Sequence, residues 1–170
     1  EIINTNGFAY NNIKIDTISN FKESIILTNG NSGWCNENYF KGGRLFNPTT
    51  ATYKNNDVAI RITSDETYRN NNNNFDSFCF EGAKKGIIID YGRFNRFTNL
   101  RSENVETLVE IKNDSDYNII DVGFGTALYN EVRPNGIISS EQNLLNLYNK
   151  IVYDCGDVEK HSASTNNRYL

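Results

Sequence analysis

A repeat of 22 residues constrains the fold of this chain more than any other feature. Residues 74–90, NFDSFCFEGAKKGIIID, can be slid onto residues 96–112, RFTNLRSENVETLVEIK, so that apolar positions coincide although few residues are identical. The aligned pairs are Phe75 with Phe97, Phe78 with Leu100, Glu81 with Glu103, Ala83 with Val105, Ile87 with Val109 and Ile89 with Ile111. Self-similarity at a fixed period is typical of architectures that stack one structural unit on the next.

Within each repeat the apolar residues alternate with a period of two over short distances, as Phe78 and Phe80 do. A period of two is typical of β-strands. A third repeat continues the pattern, and its aligned pairs are Ile119 with Phe97, Val122 with Leu100 and Ala127 with Val105. Residues 57–63, DVAIRIT, and the segment WCNENYFKGG resemble the two halves of an earlier repeat, separated by an insertion at residues 45–54.

The length of the repeat excludes helical solenoids, since ankyrin and tetratricopeptide units need about 33 or 34 residues with long stretches of period 3.6. The signature of leucine-rich repeats is also missing. We therefore predict an all-β chain that forms a single-stranded parallel β-helix over about residues 13–152, with coils of about 22 residues stacked at about 4.8 Å. The predicted interior contains Phe75, Phe78, Phe97, Leu100, Ile119, Val122, Ile89 and Ile111. A β-sandwich, whose strands also alternate, remains the alternative.

Asparagine is unusually frequent, with 29 of 170 residues, including the run from Asn70 to Asn74. Because asparagine tolerates left-handed turn conformations better than most residues, we assign the excess to turns between strands. Ser77, Asn99 and Asp121 occupy equivalent predicted corners. Their side chains are expected to form a polar ladder that satisfies backbone groups at the bends.

Composition and charge restrict the possible functions. The net charge of −4 and the pI near 5.1 exclude a nucleic-acid partner, because phosphate contacts need clustered Lys and Arg. No apolar run approaches the roughly 18 residues of a membrane span, so no membrane insertion is predicted. Cys35, Cys79 and Cys155 lack metal-ligand spacing and are predicted to be free thiols, with no metal and no cofactor. The chain opens at Glu1 and has no methionine, which favours a piece of a longer protein.

Two segments, GWCNENYFKGGRLF and YRNNNNNFDSFCFEGAKKGIIIDYG, resemble coils of the right-handed parallel β-helix (pectin-lyase-like) superfamily. The resemblance covers about residues 33–130 and is greatest to the tailspikes and tail appendages of bacteriophages. It implies a homotrimer that binds a bacterial surface polysaccharide, such as capsule, cell-wall polysaccharide or teichoic acid, for host adsorption. It also implies a location on the virion or outside the cell.

Two functions are compatible with this resemblance, in addition to a purely structural role as a shaft. The first is a module that binds a surface glycan, and the alternative is a depolymerase, a glycoside hydrolase or lyase, that cleaves the glycan with Glu or Asp side chains. The pectin-degrading members are disfavoured, because the only histidine, His161, lies outside the repeats and no calcium-binding Asp cluster accompanies a catalytic Arg. Whether the chain is an enzyme stays open.

The candidate catalytic residues are Glu81 and Glu103. If Phe78 and Phe80 point inward, the outward columns become Cys79, Arg101 and Gly123, and Glu81, Glu103 and Gly125. Two carboxylates on neighbouring strands lie about 5 Å apart at the backbone, and retaining glycosidases hold their carboxyls about 5 to 5.5 Å apart. The simpler interpretation is a pair of solvated glutamates whose repulsion is relieved by Arg101 or a nearby lysine.

The candidate ligand-binding residues are aromatic and cationic side chains at or beside predicted turns. They are Trp34, Tyr39, Tyr91, Arg93, Arg96 and Arg101, and Tyr53, Tyr68 and Phe94 occupy similar positions. Aromatic rings stack on sugar faces, and the two arginines of the loop DYGRFNRF favour an anionic or phosphate-bearing glycan. The alternative for each aromatic residue is packing within a loop or the core.

The predicted assembly and domain boundaries depend on fewer residues. Ile88 lies in the outward column Arg61, Ile88 and Glu110, and an exposed Ile88 fits a contact between subunits of the trimer. Asp90 beside Lys112 forms a favourable pair in the next column. We predict a β-helix domain over residues 1–155 and a polar C-terminal extension over residues 156–170.

Overall fold

A computed structural model describes residues 2–4, 7–29, 33–48, 57–113, 115–134, 143–147 and 150–153. The described residues form sixteen β-strands and no helix, which confirms the predicted all-β class. The strands are β1 (Ile2–Asn4), β2 (Phe8–Ala9), β3 (Asn12–Lys14), β4 (Thr17–Ser19), β5 (Glu23–Asn29), β6 (Cys35–Asn36), β7 (Tyr39–Lys41), β8 (Arg44–Phe46), β9 (Val58–Thr63), β10 (Asn74–Asp76), β11 (Cys79–Glu81), β12 (Lys85–Asp90), β13 (Arg96–Lys112), β14 (Ile119–Pro134), β15 (Leu144–Leu147) and β16 (Lys150–Tyr153).

Most strands pair in three ladders, which the chain visits in the same order in successive repeats, while β2 and β6 pair in a separate two-stranded sheet. The first ladder joins β3, β7, β10 and the beginnings of β13 and β14, followed by β15. The second joins β4, β8, β11 and the middles of β13 and β14. The third joins β1, β5, β9, β12 and the ends of β13 and β14. All these pairs are parallel, unlike the antiparallel pairs of a β-sandwich.

The predicted 22-residue register is confirmed between β10–β12 and β13. The Cα partners include Phe75 with Phe97, Glu81 with Glu103, Ile87 with Val109, Ile89 with Ile111 and Asp90 with Lys112. The alignment of the third repeat is wrong in part, because β13 and β14 pair with register shifts. Val122 and Ala127 do lie beside Leu100 and Val105, but Ile120 instead of Ile119 lies beside Phe97, and Phe124 and Thr126 replace the glycines expected beside Arg101 and Glu103.

One hydrophobic cluster connects the buried side chains of the three ladders. Phe75 lies at its centre, stacked between Phe40 and Phe97 with ring centroids 4.8 and 4.7 Å apart. Seven of the eight residues predicted to be interior are buried, and the exception is Ile119, which is partly exposed because the register shift brings Ile120 inward. Each neighbouring strand therefore adds its apolar side chains to the same core.

Six asparagines form a continuous hydrogen-bonded ladder through the chain, which we call the asparagine ladder. Its members are Asn11, Asn38, Asn73, Asn95, Asn118 and Asn143. Each Nδ2 donates to the Oδ1 of the next member at 2.9 to 3.1 Å, and each backbone N–H of the first five donates to the same oxygen. The second Nδ2 proton of Asn95 reaches the carbonyl of Asn70 at 3.2 Å. This ladder, buried from Asn38 onward, satisfies turn backbone groups at every repeat.

The polar ladder at Ser77, Asn99 and Asp121 stays a prediction. The side chains of Ser77 and Asn99 are exposed, the Asn99 Nδ2 donates to Asp76 Oδ1 at 2.7 Å, and the asparagine ladder lies at a different turn. Ser77 and Asn99 do adopt the left-handed backbone expected of corners, with φ of 62° and 54°. The excess of asparagine has two uses, since Asn20, Asn72 and Asn104 also have positive φ.

The residue before each of the first five members of the asparagine ladder is also left-handed. These residues, which we call the turn column, are Tyr10, Glu37, Asn72, Phe94 and Tyr117, with φ of 59°, 57°, 53°, 53° and 56°. All five side chains are exposed. A left-handed backbone is unusual for tyrosine, phenylalanine and glutamate, so the hydrogen bonds of the following asparagine hold it in place.

The prediction that Ile88 is exposed is wrong. Ile88 is only 2% exposed, so the apolar column proposed as a subunit contact does not exist on the described surface. Its strand neighbours in the column are charged: Arg61 pairs with Glu23 at 2.5 Å, and Glu110 pairs with Lys85 at 2.5 Å. Glu110 is also 2% exposed and contacts Lys112 at 3.2 Å, which leaves the charges of this column compensated.

The C-terminal strands end the parallel order. β15 pairs parallel with β14, and β16 pairs antiparallel with β15. The predicted domain boundary at residue 155 and the extension over 156–170 lie outside the described residues, as do Tyr53, Cys155 and His161. Cys35 and Cys79 are free thiols, as predicted.

Candidate functional site

An open groove with a volume of about 380 Å³ lies at the turn that leads from the third ladder of one repeat to the first ladder of the next. We call it the turn groove. It is lined by Trp34, Asn36, Glu66, Thr67, Tyr68, Arg69, Asn71, Arg93 and Phe94. The lining combines three aromatic rings, two guanidinium groups, one carboxylate and two carboxamides, which suits a ligand with both apolar faces and polar edges.

Hydrogen bonds fix the backbone on both sides of the turn groove. Trp34 accepts a bond from the Phe8 N–H at 2.8 Å, and its indole lies beside Gly7. The opposite loop is folded by Asp65, whose Oδ1 accepts from the N–H groups of Thr67 and Tyr68 at 2.8 and 2.7 Å. The Asn29 carboxamide also donates to the Tyr68 carbonyl at 2.6 Å. The site is therefore held by strands and short turns before any ligand arrives.

The aromatic residues of the turn groove are unusually exposed. Trp34 and Phe94 are 46% exposed and Tyr68 is 37% exposed. Phe94 stacks on Tyr117 with ring centroids 4.9 Å apart and an interplanar angle of 14°. Because Tyr117 covers one face of Phe94 but does not line the groove, the other face of Phe94 is the one available to a ligand.

Charged residues of opposite sign meet at the turn groove. Asn71, Arg93 and Asp116 are bridge partners on three successive repeats. The Arg93 Nε lies 2.6 Å from Asp116 Oδ1, and the Arg69 guanidinium lies 4.0 Å from the same oxygen. The Asp116 side chain is only 8% exposed. This buried carboxylate faces both arginines and compensates one of their two positive charges.

The turn groove brings together some of the residues predicted to bind a ligand. Trp34 and Arg93 line it, and Tyr91 lies nearby with the Arg69 guanidinium 6.0 Å from its ring centroid. Sequence reasoning missed Arg69 and Asp116. The signal for Asp116 was its position just before the aligned third repeat, two residues upstream of the Asn118 that corresponds to Asn95.

Three other predicted ligand residues do not line the turn groove. Tyr39 lies on β7 and donates from its hydroxyl to Asp76 at 3.1 Å. Arg96 is exposed at the start of β13, and Arg101 is exposed farther along the same strand, where it pairs with Glu103. The sequence placed Tyr39 and Arg96 at or beside turns, whereas the structure places both on strands of the first ladder and Arg101 on the second ladder.

The candidate catalytic residues Glu81 and Glu103 are Cα partners on neighbouring strands, and each carboxylate has its own arginine. Glu81 Oε2 accepts from Arg44 Nε at 2.8 Å, and Glu103 pairs with Arg101. The hydrogen bond from Arg44 lowers the pKa of Glu81. A general acid in a glycosidase needs a raised pKa, so the lowered pKa of Glu81 argues against a role for Glu81 as that acid.

We expect the Arg44→Ala substitution to raise the pKa of Glu81, because it removes the hydrogen bond that favours the ionised carboxylate. In the parent protein this lowered pKa stabilises the fold above the ordinary glutamate pKa, and the contribution disappears as the pH falls through the Glu81 pKa. A carboxyl-detected NMR titration of both proteins measures the shift. The Arg101→Ala variant is the comparison, because Arg101 lowers the Glu81 pKa only through a weaker coulombic attraction and should give a smaller rise than Arg44→Ala. An equal rise in the two variants, or an unchanged Glu81 pKa in Arg44→Ala, contradicts the assignment.

No three His, Cys, Asp or Glu side chains among the described residues come together as a metal site. The same part of the chain contains no helix long and apolar enough to span a membrane. No family model, curated protein or solved structure matches the chain.

Proposed function

We propose that this chain is the glycan-contacting module of a bacteriophage tail appendage and that it binds a bacterial surface polysaccharide at the turn groove. The observation that carries the proposal is the set of exposed aromatic rings of Trp34, Tyr68 and Phe94 around one groove beside two arginines. Aromatic rings stack on the C–H faces of sugars, while guanidinium and carboxamide groups hydrogen-bond with their hydroxyls.

We infer a right-handed single-stranded parallel β-helix as the scaffold of this module. Three parallel ladders recur in the same chain order, and one hydrophobic cluster connects them. Parallel strands need crossover connections, and right-handed crossovers are strongly preferred. Stacked repeats would supply a long rigid surface on which turns carry the binding residues.

The volume of the turn groove supports the binding of a small part of a polymer. At about 380 Å³ it falls at the lower end of the range of about 300 to 1,000 Å³ for ligand pockets. A groove of this size holds one or two sugar residues and leaves the rest of a polysaccharide outside. Weak contact of this kind is sufficient when several copies act together, since linked sites raise avidity by about 10² or more.

A homotrimer and a place on the virion belong to this proposal through the sequence resemblance. The second argument for a trimer, a subunit contact through an exposed Ile88, no longer applies because Ile88 is buried within the single chain. Sedimentation equilibrium tests the assembly: a mass of three chains supports it, and a single 19.4 kDa species at micromolar concentration contradicts it.

The single tryptophan of the chain makes binding at the turn groove directly measurable. Because Trp34 is 46% exposed and lines the groove, we expect bound glycan to shield its indole and shift its fluorescence to shorter wavelength. Glycans that bind on an array of bacterial capsule and wall polysaccharides would be titrated in this way. We expect the Trp34→Ala variant to bind these glycans at least tenfold more weakly, since stacking on such a ring contributes about 1.5 kcal/mol or more.

A matched control is Tyr39→Ala, which also removes an exposed aromatic ring but lies on β7 outside the turn groove. Its affinity should equal that of the parent protein. Equal affinity of Trp34→Ala, or glycan binding without any change in Trp34 fluorescence, would place recognition elsewhere on the chain. Absence of binding to every polysaccharide on the array would overturn the proposed function.

The depolymerase alternative has one supporting observation, the direct pairing of Glu81 with Glu103. The lowered pKa of Glu81 and the two arginine partners favour binding over cleavage. A reducing-end assay on each bound polysaccharide distinguishes the two functions. Release of reducing ends that disappears in Glu81→Gln would replace the binding proposal by the enzymatic one.

A further inference from the structure

We propose that the turn groove selects uncharged sugar rings and discriminates against rings that carry carboxylate or phosphate groups. This selectivity rests on the proposed function, because it names the class of glycan that the groove accepts. The loop DYGRFNRF favoured the opposite preference when only its two arginines were considered. The environment of those arginines reverses the expectation.

The charges at the turn groove cancel. Two arginines, Arg69 and Arg93, and one carboxylate, Glu66, line the groove. Asp116 contacts both arginines from beneath. These four groups, two positive and two negative, sum to a net charge of zero. Arg96, the second arginine of the loop, does not line the groove and adds no charge to it.

Asp116 cannot readily release its arginine partners. Its side chain is 8% exposed, and a buried carboxylate that loses its positive partner is strongly destabilising. The Arg93 guanidinium therefore stays paired through its Nε at 2.6 Å when a ligand enters. An anionic sugar would meet arginines whose charge is already compensated and would approach the carboxylates of Asp116 and Glu66 as well. A neutral sugar meets no such repulsion.

The remaining lining favours neutral rings for a second reason. Trp34 and the open face of Phe94 offer apolar surfaces, which stack on the C–H faces of a sugar. The Asn71 side chain adds a carboxamide, which can donate to or accept from hydroxyl and amide groups. Burying an ionised group against aromatic rings costs free energy unless a partner compensates it.

The experiment uses each polysaccharide of the array in two chemically matched forms. One form is native, and in the other the uronic carboxyls are reduced to alcohols and the phosphates are removed enzymatically. Binding is followed through Trp34 fluorescence at low and high salt. We expect the uncharged form to bind at least about tenfold more tightly, with an affinity that does not change with salt.

Two substitutions each remove one negative charge from the groove and keep the shape of the side chain nearly unchanged. In Asp116→Asn the arginines lose their compensation, and we expect affinity for the charged form to rise about tenfold, as for one added charge-assisted hydrogen bond. Glu66→Gln removes the other negative charge from an exposed position. It should also raise the affinity for the charged form, and it does so without disturbing a buried ion pair. Thermal unfolding verifies that each variant is folded.

The possible outcomes separate the two proposals. Tighter binding of the charged form by the parent protein, or no gain for the charged form in either variant, overturns the selectivity and leaves glycan binding intact. Binding of neither form overturns the proposed function together with the selectivity. A preference for the uncharged form that weakens in both variants supports the inference.

Discussion

Replacing Asn95 by alanine is expected to lower the free energy of unfolding by about 4 kcal/mol. The Asn95 side chain accepts from the backbone N–H and the Nδ2 of Asn73, both at 3.0 Å, and donates to Asn118 Oδ1 at 3.1 Å and to the Asn70 carbonyl at 3.2 Å. The alanine leaves two buried donors of Asn73, its backbone N–H and one Nδ2 proton, without an acceptor, and each costs about 1 to 3 kcal/mol. Asn118 Oδ1 and the Asn70 carbonyl keep the backbone N–H groups of Asn95 and Arg93 as donors. Equilibrium unfolding in urea measures the loss.

The control for this experiment is Asn12→Ala, which removes an exposed asparagine from β3. We expect it to change the free energy of unfolding by less than about 0.5 kcal/mol, as is usual for surface substitutions. A loss below about 1 kcal/mol in Asn95→Ala would mean that water replaces the ladder and that the ladder does not stabilise the turn.

The Phe75→Ala substitution is expected to cost about 4 kcal/mol in the free energy of unfolding. Phe75 is fully buried and its ring stacks on both Phe40 and Phe97, so its removal leaves a cavity with two aromatic walls. Truncation of a buried phenylalanine costs about 3 to 5 kcal/mol, and each aromatic pair adds to the loss. The same urea titration, followed by far-UV circular dichroism, measures the effect.

Phe94→Ala is the matched control, because it removes the same atoms from a ring that is 46% exposed. Phenylalanine and alanine both carry a β-carbon, so the strain of the left-handed backbone at position 94 is the same before and after the substitution. A loss of less than about 1.5 kcal/mol is expected there. Equal losses in Phe75→Ala and Phe94→Ala would contradict the central position of Phe75 in the core.

The strand register of β10–β13 could be predicted because two repeats of equal length carry side chains of similar size at equivalent positions. Phe75 with Phe97 and Ile87 with Val109 are such positions. The third repeat has one more residue before its first strand, since the spacing from Asn95 to Asn118 is 23 residues instead of the 22 between Asn73 and Asn95. A fixed sequence offset cannot show this insertion, and so Ile119 was placed one position too early.

The asparagine ladder was missed for a physical reason. Asparagine is common in turns, and its residue type alone does not show whether a turn asparagine is buried or exposed. The pattern that distinguishes them is Asn two residues before an inward phenylalanine, as in Asn38 with Phe40 and Asn73 with Phe75. The burial of Ile88 could not be predicted either. Strict alternation along β12 assigns Ile88 to the outward face, and yet its side chain is buried.

The turn groove was predicted only in part. Trp34 and Arg93 were identified by residue type and their closeness to turns. Their meeting with Arg69 depends on the stacking of separate repeats, and the compensation by Asp116 depends on burial. Neither property has a local sequence signal, so the charge of the groove could not be inferred from the loop DYGRFNRF alone.

The turn column separates the shape of the backbone from the chemistry of the surface. Tyr10, Glu37, Asn72, Phe94 and Tyr117 share one backbone conformation while their side chains are phenolic, acidic, amide and aromatic. The conformation is held from inside by the asparagine that follows each of them, so selection can exchange the outward residue with little penalty to folding. Successive positions lie about 4.8 Å apart along the stack. Under the proposed function, single substitutions in this column, one repeat at a time, would change the groups that meet a ligand without changing the scaffold.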